Sequence, residues 1–270
     1  QLSQVPGDLS MGAAEHILRG ETPELADIGL DGLYPVPEFV AQIASYVHSP
    51  QRRDGLHFLV DVGAGTIDVA AFNVFHEPLE DEDRFPIFAS AVEPLGTHYL
   101  MGKRFRSCGL EVEKWDDLQG IPNSEEFATK FGVDEKGVVT ADEEFTVFVR
   151  AIIGKVLQYT KARRYPGAQE WKRGIRVFLA GGGAACNVYR QALQRSFAQL
   201  GIPLLDTPFP VPAGLTAGNI DSDSFQRLSV AFGLTYDAES MGKILAPREI
   251  SDLTPATEST VPSHEELYPK

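Results

Sequence analysis

The chain has 270 residues, enough to bury a substantial hydrophobic core in one large or two small domains. Its formal net charge of −14 at pH 7 argues against binding to nucleic acid, because that contact needs clustered lysine and arginine. A mean hydropathy of −0.13 is typical of a soluble globular protein, and no apolar run approaches the roughly 20 residues of a membrane span. Without a signal-peptide pattern at its start, the chain is predicted to be cytoplasmic.

The first segment, residues 1–37, carries Gly, Pro and Asp at intervals and predicts one weak helical piece around Met11–Arg19. A clearer helix is predicted over Glu38–Tyr46, since Pro35 and Pro37 fix its entry.

A β-hairpin is predicted over His57–Asn73, where two short apolar runs flank a tight turn. Three residues of the turn are small and the fourth, Thr66, carries a hydroxyl. The backbone of such a turn can therefore approach a ligand closely and offer several N–H groups to one anion. Asp61 and Asp68 flank the turn and could orient a hydrated Mg²⁺, which needs few carboxylates. An ordinary glycine-rich hairpin with two solvated aspartates is the alternative. The turn consists of Gly63, Ala64, Gly65 and Thr66.

A third strand is predicted over Phe85–Val92, followed by a helix over Gly96–Arg106. Residues 107–140 predict only short helices, one of them at Trp115–Asp117, and a loop or hairpin over Gly132–Val139. Thr140 and Glu143 then form a capping box that predicts the start of a long helix. Its apolar stripe is interpreted as core and comprises Phe145, Phe148, Val149, Ile152, Ile153, Val156 and Leu157.

A buried strand is predicted over Ile175–Ala180, followed by three glycines and a helix from Ala184 to about Leu200. A strand, glycines and a helix N-terminus together allow close backbone contact with a ligand and present free N–H groups. A tight turn packed under another element is the alternative explanation for Gly181, Gly182 and Gly183.

The last elements are an edge strand over Ile202–Leu205 and a helix over Arg227–Leu234. Small residues in that helix, Ser229, Ala231 and Gly233, predict that it crosses the 38–46 helix closely. Residues 246–270 contain four prolines among Ser, Thr and Glu, which predicts a disordered tail.

Four of these segments, in this order, resemble motifs of the actin/hexokinase/heat-shock chaperone ATPase superfamily. The 38–46 helix is similar to the first connecting helix, the 61–68 turn to the second phosphate motif, 177–184 to the adenosine loop and 227–234 to the second connecting helix. The three-glycine form is closer to FtsA-type proteins, whereas 96–102 resembles the DnaK-type pattern, so the subfamily stays open.

The resemblance implies an α/β fold with a ribonuclease-H-like lobe, a mixed sheet in the order βββαβα with a small inserted subdomain. Residues 38–245 would form the second nucleotide-binding lobe of the superfamily, with 107–140 as a small cap subdomain. Residues 1–37 would be a remnant of, or a link to, a missing first lobe.

The resemblance also implies ATP and Mg²⁺ as cofactors. The 63–66 turn would hold the phosphates, Asp61 would orient the metal through water, and Glu38 would position the attacking water or a metal-bound one. Asp68 would support the turn or the metal shell, Gly102 would contact nucleotide, and the 181–183 glycines would lie along the adenosine. Ala185 stands where chaperones have an arginine on the adenine, which puts the strength of adenine binding in doubt.

Several functions are compatible with these motifs. The first is the ATP-binding half of a DnaK-like or actin-like ATPase, whose lobe closure drives a protein partner. The second is a nucleotide-regulated filament or scaffold of the actin/FtsA kind. A small-molecule kinase is less favoured because no separate general base is evident, and the 38–46 helix argues against the hairpin being a first phosphate loop.

Overall fold

The computed structural model describes residues 36–112, 120–213, 215, 225–237 and 240–250. Several sequence predictions lie outside these residues: the helical piece at 11–19, nearly all of the 1–37 segment, the short helix at 115–117 and residues 251–270 of the tail.

A six-stranded mixed sheet is the centre of the fold, in the order β5-β4-β1-β2-β3-β6. The first three strands form the predicted antiparallel meander; β4 and β5 then continue parallel to β1, and β6 pairs in parallel with β3 at the other edge. The strands are β1 (Gly55–Val62), β2 (Ile67–Glu77), β3 (Glu82–Glu93), β4 (Ile175–Ala180), β5 (Leu204–Asp206) and β6 (Lys243–Leu245).

Helices cover both faces of this sheet, and the predicted βββαβα order and ribonuclease-H-like lobe are confirmed. The described helices are α1 (Glu38–Val47), α2 (Thr97–Ser107), α3 (Ser124–Phe131), α4 (Glu135–Tyr159), α5 (Glu170–Arg173), α6 (Asn187–Gln199) and α7 (Ser229–Gly233). A π-helical turn, Thr160–Arg164, prolongs α4. None of the helices in the described ranges is long and apolar enough to cross a membrane.

Alternation along the strands divides the core in two. Phe58 and Val60 of β1 point to the face covered by α4 and α6, where they join a cluster with Val149 and Leu193. Leu59 points to the opposite face and packs with Ile43 of α1. Since Asp61 has the same parity as Leu59, its side chain lies on the α1 face.

The long helix starts earlier than predicted, and one position of its stripe is not core. Gly132 ends α3 in the left-handed conformation at φ 65°, and the Asp134 side chain then accepts from the Lys136 amide and caps α4. The predicted loop at Gly132–Val139 therefore ends at Asp134, and the cap at Thr140 was wrong, because Asp134 offers an earlier cap. Phe148 is 58% exposed, so its placement in the core was also wrong.

The predicted close crossing of two helices is present between α1 and α7. A Cβ on Gly233 would overlap the backbone of Ala41, so only glycine permits this approach.

The segment predicted as the small cap packs on α2 around a buried ion pair. Arg104, only 1% exposed, donates to both carboxylate oxygens of Asp142 at 2.6 and 2.7 Å and to the Pro122 carbonyl at 2.6 Å. These bonds tie α2, the segment before α3, and α4 together.

Residues 246–250 were placed at the start of the disordered tail, but they are part of the folded chain. Pro247–Glu249 forms a 3-10 helix directly after β6, and the Ile250 carbonyl accepts from Arg164. Sequence patterns missed β6 because three residues show no alternation.

Candidate nucleotide site

The predicted turn joins β1 to β2 with Asp61 and Asp68 directly opposite each other in the register. Gly63 donates to the Thr66 carbonyl at 2.9 Å and closes the turn. The amides of Ala64, Gly65 and Thr66 donate to no other group among the described residues, and all three residues are exposed.

The carbonyls of this turn accept hydrogen bonds from the N-terminus of α2. The amides of Gly96, Thr97 and His98 donate to Gly65, Gly63 and Ala64 at 3.2, 3.0 and 2.9 Å. Each peptide bond here is trans, so its C=O and N–H point in opposite directions. Because three successive carbonyls face α2, the amides of residues 64–66 face away from it.

The three-glycine corner lies directly beside this hairpin, because β4 runs parallel to β1. Gly183 donates from its amide to the Val62 carbonyl at 2.9 Å. Gly181 has φ 80°, and a Cβ there would overlap a carboxylate oxygen of Asp61. The two predicted loops therefore meet at one edge of the sheet.

The glycines of the corner have different environments. A Cβ on Gly183 would stand 2.8 Å from the Thr97 side chain, so close packing accounts for this residue as well as for Gly181. Gly182 is exposed, and a Cβ there would meet nothing within 4 Å. Only this glycine leaves its surroundings open to a ligand.

Asp61 is the electrostatic centre of the site. Gln42 of α1 donates from Nε2 to Oδ2 of Asp61 at 2.9 Å. Burial raises the pKa of Asp61 to about 6, the negative charges of Glu38 and Asp68 add to that rise, and the Gln42 hydrogen bond opposes it. The protein thus keeps a carboxylate where its charge is disfavoured, which is common at functional sites.

The other predicted polar residues surround Asp61 on the α1 face. Thr66 donates from its hydroxyl to Oδ2 of Asp68 at 3.0 Å. Glu38, exposed in the first turn of α1, lines a cavity of about 240 Å³ together with Gln42, Asp61 and Asp68.

Gly102 is not brought together with these residues. It is buried inside α2, five residues beyond Thr97. At 1.5 Å of rise per residue that is roughly 7–8 Å further along the helix. The residues of this segment that contact the turn are Gly96, Thr97 and His98.

Sequence reasoning missed Gln42, although a signal was present. It is one helical turn after Glu38, so the two side chains share a face of α1. The residue is 2% exposed, and its Oε1 has no hydrogen-bond partner.

A second cavity, of about 360 Å³, lies between the residues that follow the glycine corner and the segment that contains α3. Its volume is within the range of small-molecule pockets. Ala185, Cys186 and Asn187 form one wall, and Asn123, Glu126 and the Arg104–Asp142 pair contribute to the other.

Within the described ranges, no group of three or more His, Cys, Asp or Glu side chains is arranged to hold a metal ion. The carboxylates of Glu38, Asp61 and Asp68 line one cavity without forming a direct coordination set.

No protein-family model and no curated protein matches the chain. Similar solved structures include the PilM–PilN type IV pilus biogenesis complex (16% identity, 82% of this chain, 57% of that chain, TM-score 0.46). The ethanolamine utilization protein EutJ from Carboxydothermus hydrogenoformans is similar at 18% identity over 73% of this chain and 55% of that chain, with a TM-score of 0.37. The archaeal actin homolog Ta0583 is similar at 13% identity over 73% and 53%, with a TM-score of 0.39.

The chain spans just over half of the length of each of these structures. At 13–18% identity, the similarity is one of fold alone.

Proposed function

We propose that this chain binds Mg-ATP where the hairpin turn meets the glycine corner. The phosphates lie on the amides of Ala64, Gly65 and Thr66, and the adenosine lies along the glycine corner, where Gly182 leaves its surroundings open. The adenine enters the 360 Å³ cavity next to Ala185.

The observation that carries this proposal is the direction of three successive amides. They face away from α2, are exposed and have no partner among the described residues. Successive backbone N–H groups of this kind form a concave site for an anion. The hydrogen bonds from α2 fix the turn in advance, so little ordering is needed on binding.

The metal fits the site through water. Mg²⁺ prefers to keep several waters and to bind substrate phosphates with few carboxylates. Asp61 orients such waters from beside the turn, Asp68 supports the turn through Thr66, and Glu38 positions a water from the first turn of α1. When bound, the metal neutralises phosphate charge.

In the whole protein, we propose, this lobe is the ATP-binding half of a DnaK-like or actin-like ATPase. The exposed turn covers only one side of a ligand, so turnover requires a second lobe that closes over the nucleotide. The isolated chain then binds ATP weakly and hydrolyses it hardly at all, and closure transmits the nucleotide state to a protein partner.

Two free cysteines, Cys108 and Cys186, support a reducing compartment such as the cytoplasm.

Isothermal titration with Mg-ATP tests the site. Asp61→Ala is expected to weaken binding at least about tenfold, the usual effect of losing a carboxylate that orients metal-bound groups. The control is Glu111→Ala, which removes an exposed carboxylate outside the site and leaves affinity unchanged. Micromolar binding that does not respond to Asp61→Ala would refute the proposed site.

A further inference from the structure

A groove of about 670 Å³ lies between α4 and α6, apart from the nucleotide site. One wall is a stripe of α4 and the turn after it, with positions at helical spacing. They include Val147, Ala151, Gly154, Gln158 and Ala162. Ser196, Gln199 and Leu200 complete the groove from the α6 side.

The floor of the groove is shallow and partly apolar. Ala151 and Gly154 leave space on the surface of α4, and a Cβ on Gly154 would meet nothing within 4 Å. Val147 is 60% exposed at one end, and Tyr159 lines the other end. Such a surface can accept an apolar side chain of another segment.

The charge of the groove is opposite to that of the chain. Arg150, Lys155 and Arg163 line it, and no acidic residue does. Among the described residues none of the three forms an ion pair, and Arg150 donates only to Gln199, at 2.6 Å. In a chain with 38 acidic and 24 basic residues, an uncompensated cationic groove indicates an acidic occupant.

We propose that residues 251–270 of this chain dock in the groove. They carry Asp252, Glu258, Glu265 and Glu266 against a single Lys270. They also contain Leu253, Val261, Leu267 and Tyr268, apolar or aromatic side chains suited to the floor.

The segment starts near the C-terminal end of the helix that lines the groove. The carbonyl of Ile250 accepts from Arg164, the neighbour of the groove residue Arg163. The stripe from Val147 to Ala162 is roughly 23 Å long at 1.5 Å per residue. Twenty residues span up to about 66 Å when extended, so the acidic positions reach every part of the groove.

Because the segment and the groove belong to one chain, even a weak contact is enough to occupy the groove for much of the time. A short tether gives an effective concentration in the millimolar range, so a contact with a Kd of about 1 mM between separate molecules is half occupied within one chain. The segment contains three prolines, Pro255, Pro262 and Pro269. They restrict the undocked backbone, so the segment loses less conformational entropy when it docks.

Amide hydrogen exchange on the full chain, read by mass spectrometry, tests the proposal. In the unmodified chain, amides of 251–270 are expected to exchange about twofold or more slowly than in the variant Lys155→Glu/Arg163→Glu. The control Lys136→Glu/Lys172→Glu has the same change of charge at exposed positions outside the groove and retains the slow exchange.

Two further variants separate docking from altered folding. Gly154→Trp fills the groove and is expected to abolish the slow exchange, whereas Gly154→Ala leaves the groove open and retains it. Adding Glu265→Lys/Glu266→Lys to the groove reversal restores opposite charges and is expected to restore slow exchange.

Equal exchange of 251–270 in the unmodified chain and in Lys155→Glu/Arg163→Glu would overturn the proposal. Protection that rises with protein concentration would overturn it too, because the occupant would then be a second copy of the chain.

Discussion

Gln42 donates from Nε2 to Oδ2 of Asp61 at 2.9 Å and so joins the helix before the sheet to the end of its first strand. The bond stabilises the charged form of a carboxylate that burial and two neighbouring acids disfavour. Gln42 itself is buried, and its Oε1 has no partner among the described residues, so its amide is committed to Asp61 alone.

Gln42→Leu is therefore expected to raise the pKa of Asp61 above its value of about 6, since the substitution removes the donor and leaves the opposing causes in place. Carboxyl ¹³C chemical shifts followed through a pH titration measure this change. A lowered or unchanged pKa would show that the hydrogen bond does not hold the charge.

Asp61→Asn is expected to stabilise the protein at pH 8. The folded pKa of Asp61, about 6, exceeds its ordinary 3.8, so the folded state binds the proton more tightly. Stability from this group is thus present at low pH and is lost as pH rises from about 4 through 6, a change on the order of 3 kcal/mol.

Urea unfolding of the variant and the parent at several pH values measures this difference. His57 acts in the opposite sense in the same window, since burial lowers its pKa to about 4, and comparing the two proteins cancels that contribution. Asp68→Asn is the control with the same change of charge. A free-energy difference that does not grow between pH 4 and pH 6 would contradict the assignment.

Gly183→Ala is expected to destabilise the fold by about 1–3 kcal/mol, the usual cost of overpacking. The new methyl group would press on Val62 and on the Thr97 side chain. Gly182→Ala is the matched control, since its methyl group meets nothing within 4 Å, and it is expected to change stability by less than about 1 kcal/mol. Equal unfolding free energies for the two variants would mean that the corner does not pack as described.

Arg104→Met is expected to cost about 3–5 kcal/mol, because Asp142 and the Pro122 carbonyl lose a buried donor. Adding Asp142→Leu is expected to recover part of that loss, since the uncompensated carboxylate is removed. A double-mutant cycle by urea unfolding measures the coupling. Strictly additive effects would contradict a direct interaction.

The meander, the β4 strand and the glycine corner could be predicted because their local patterns agree with the tertiary structure. Phe58 and Val60 alternate with Leu59 as a two-sided strand requires, and the small Gly233 predicted the close approach to Ala41. Residues 61 and 68 could be paired because the turn length fixes the hairpin register.

Other features depend on contacts between distant segments, which a single sequence does not reveal. Nothing local indicates that the turn carbonyls are bound by Gly96, Thr97 and His98, or that Gly102 lies too far along α2 to join them. Phe148 fits the helical apolar period but lies where no element covers it among the described residues. Polar Gln42 on a buried face and the earlier cap at Asp134 were signals that the sequence did contain.

In the proposed site, one phosphate chain binds to the amides that face away from α2. Titration of the ¹⁵N-labelled chain with Mg-ATP, read by amide chemical shifts, tests it most directly. The largest shifts are expected at Ala64, Gly65 and Thr66, with smaller ones at Gly182. Saturable shifts confined to other residues, or no shifts at millimolar nucleotide, would contradict it.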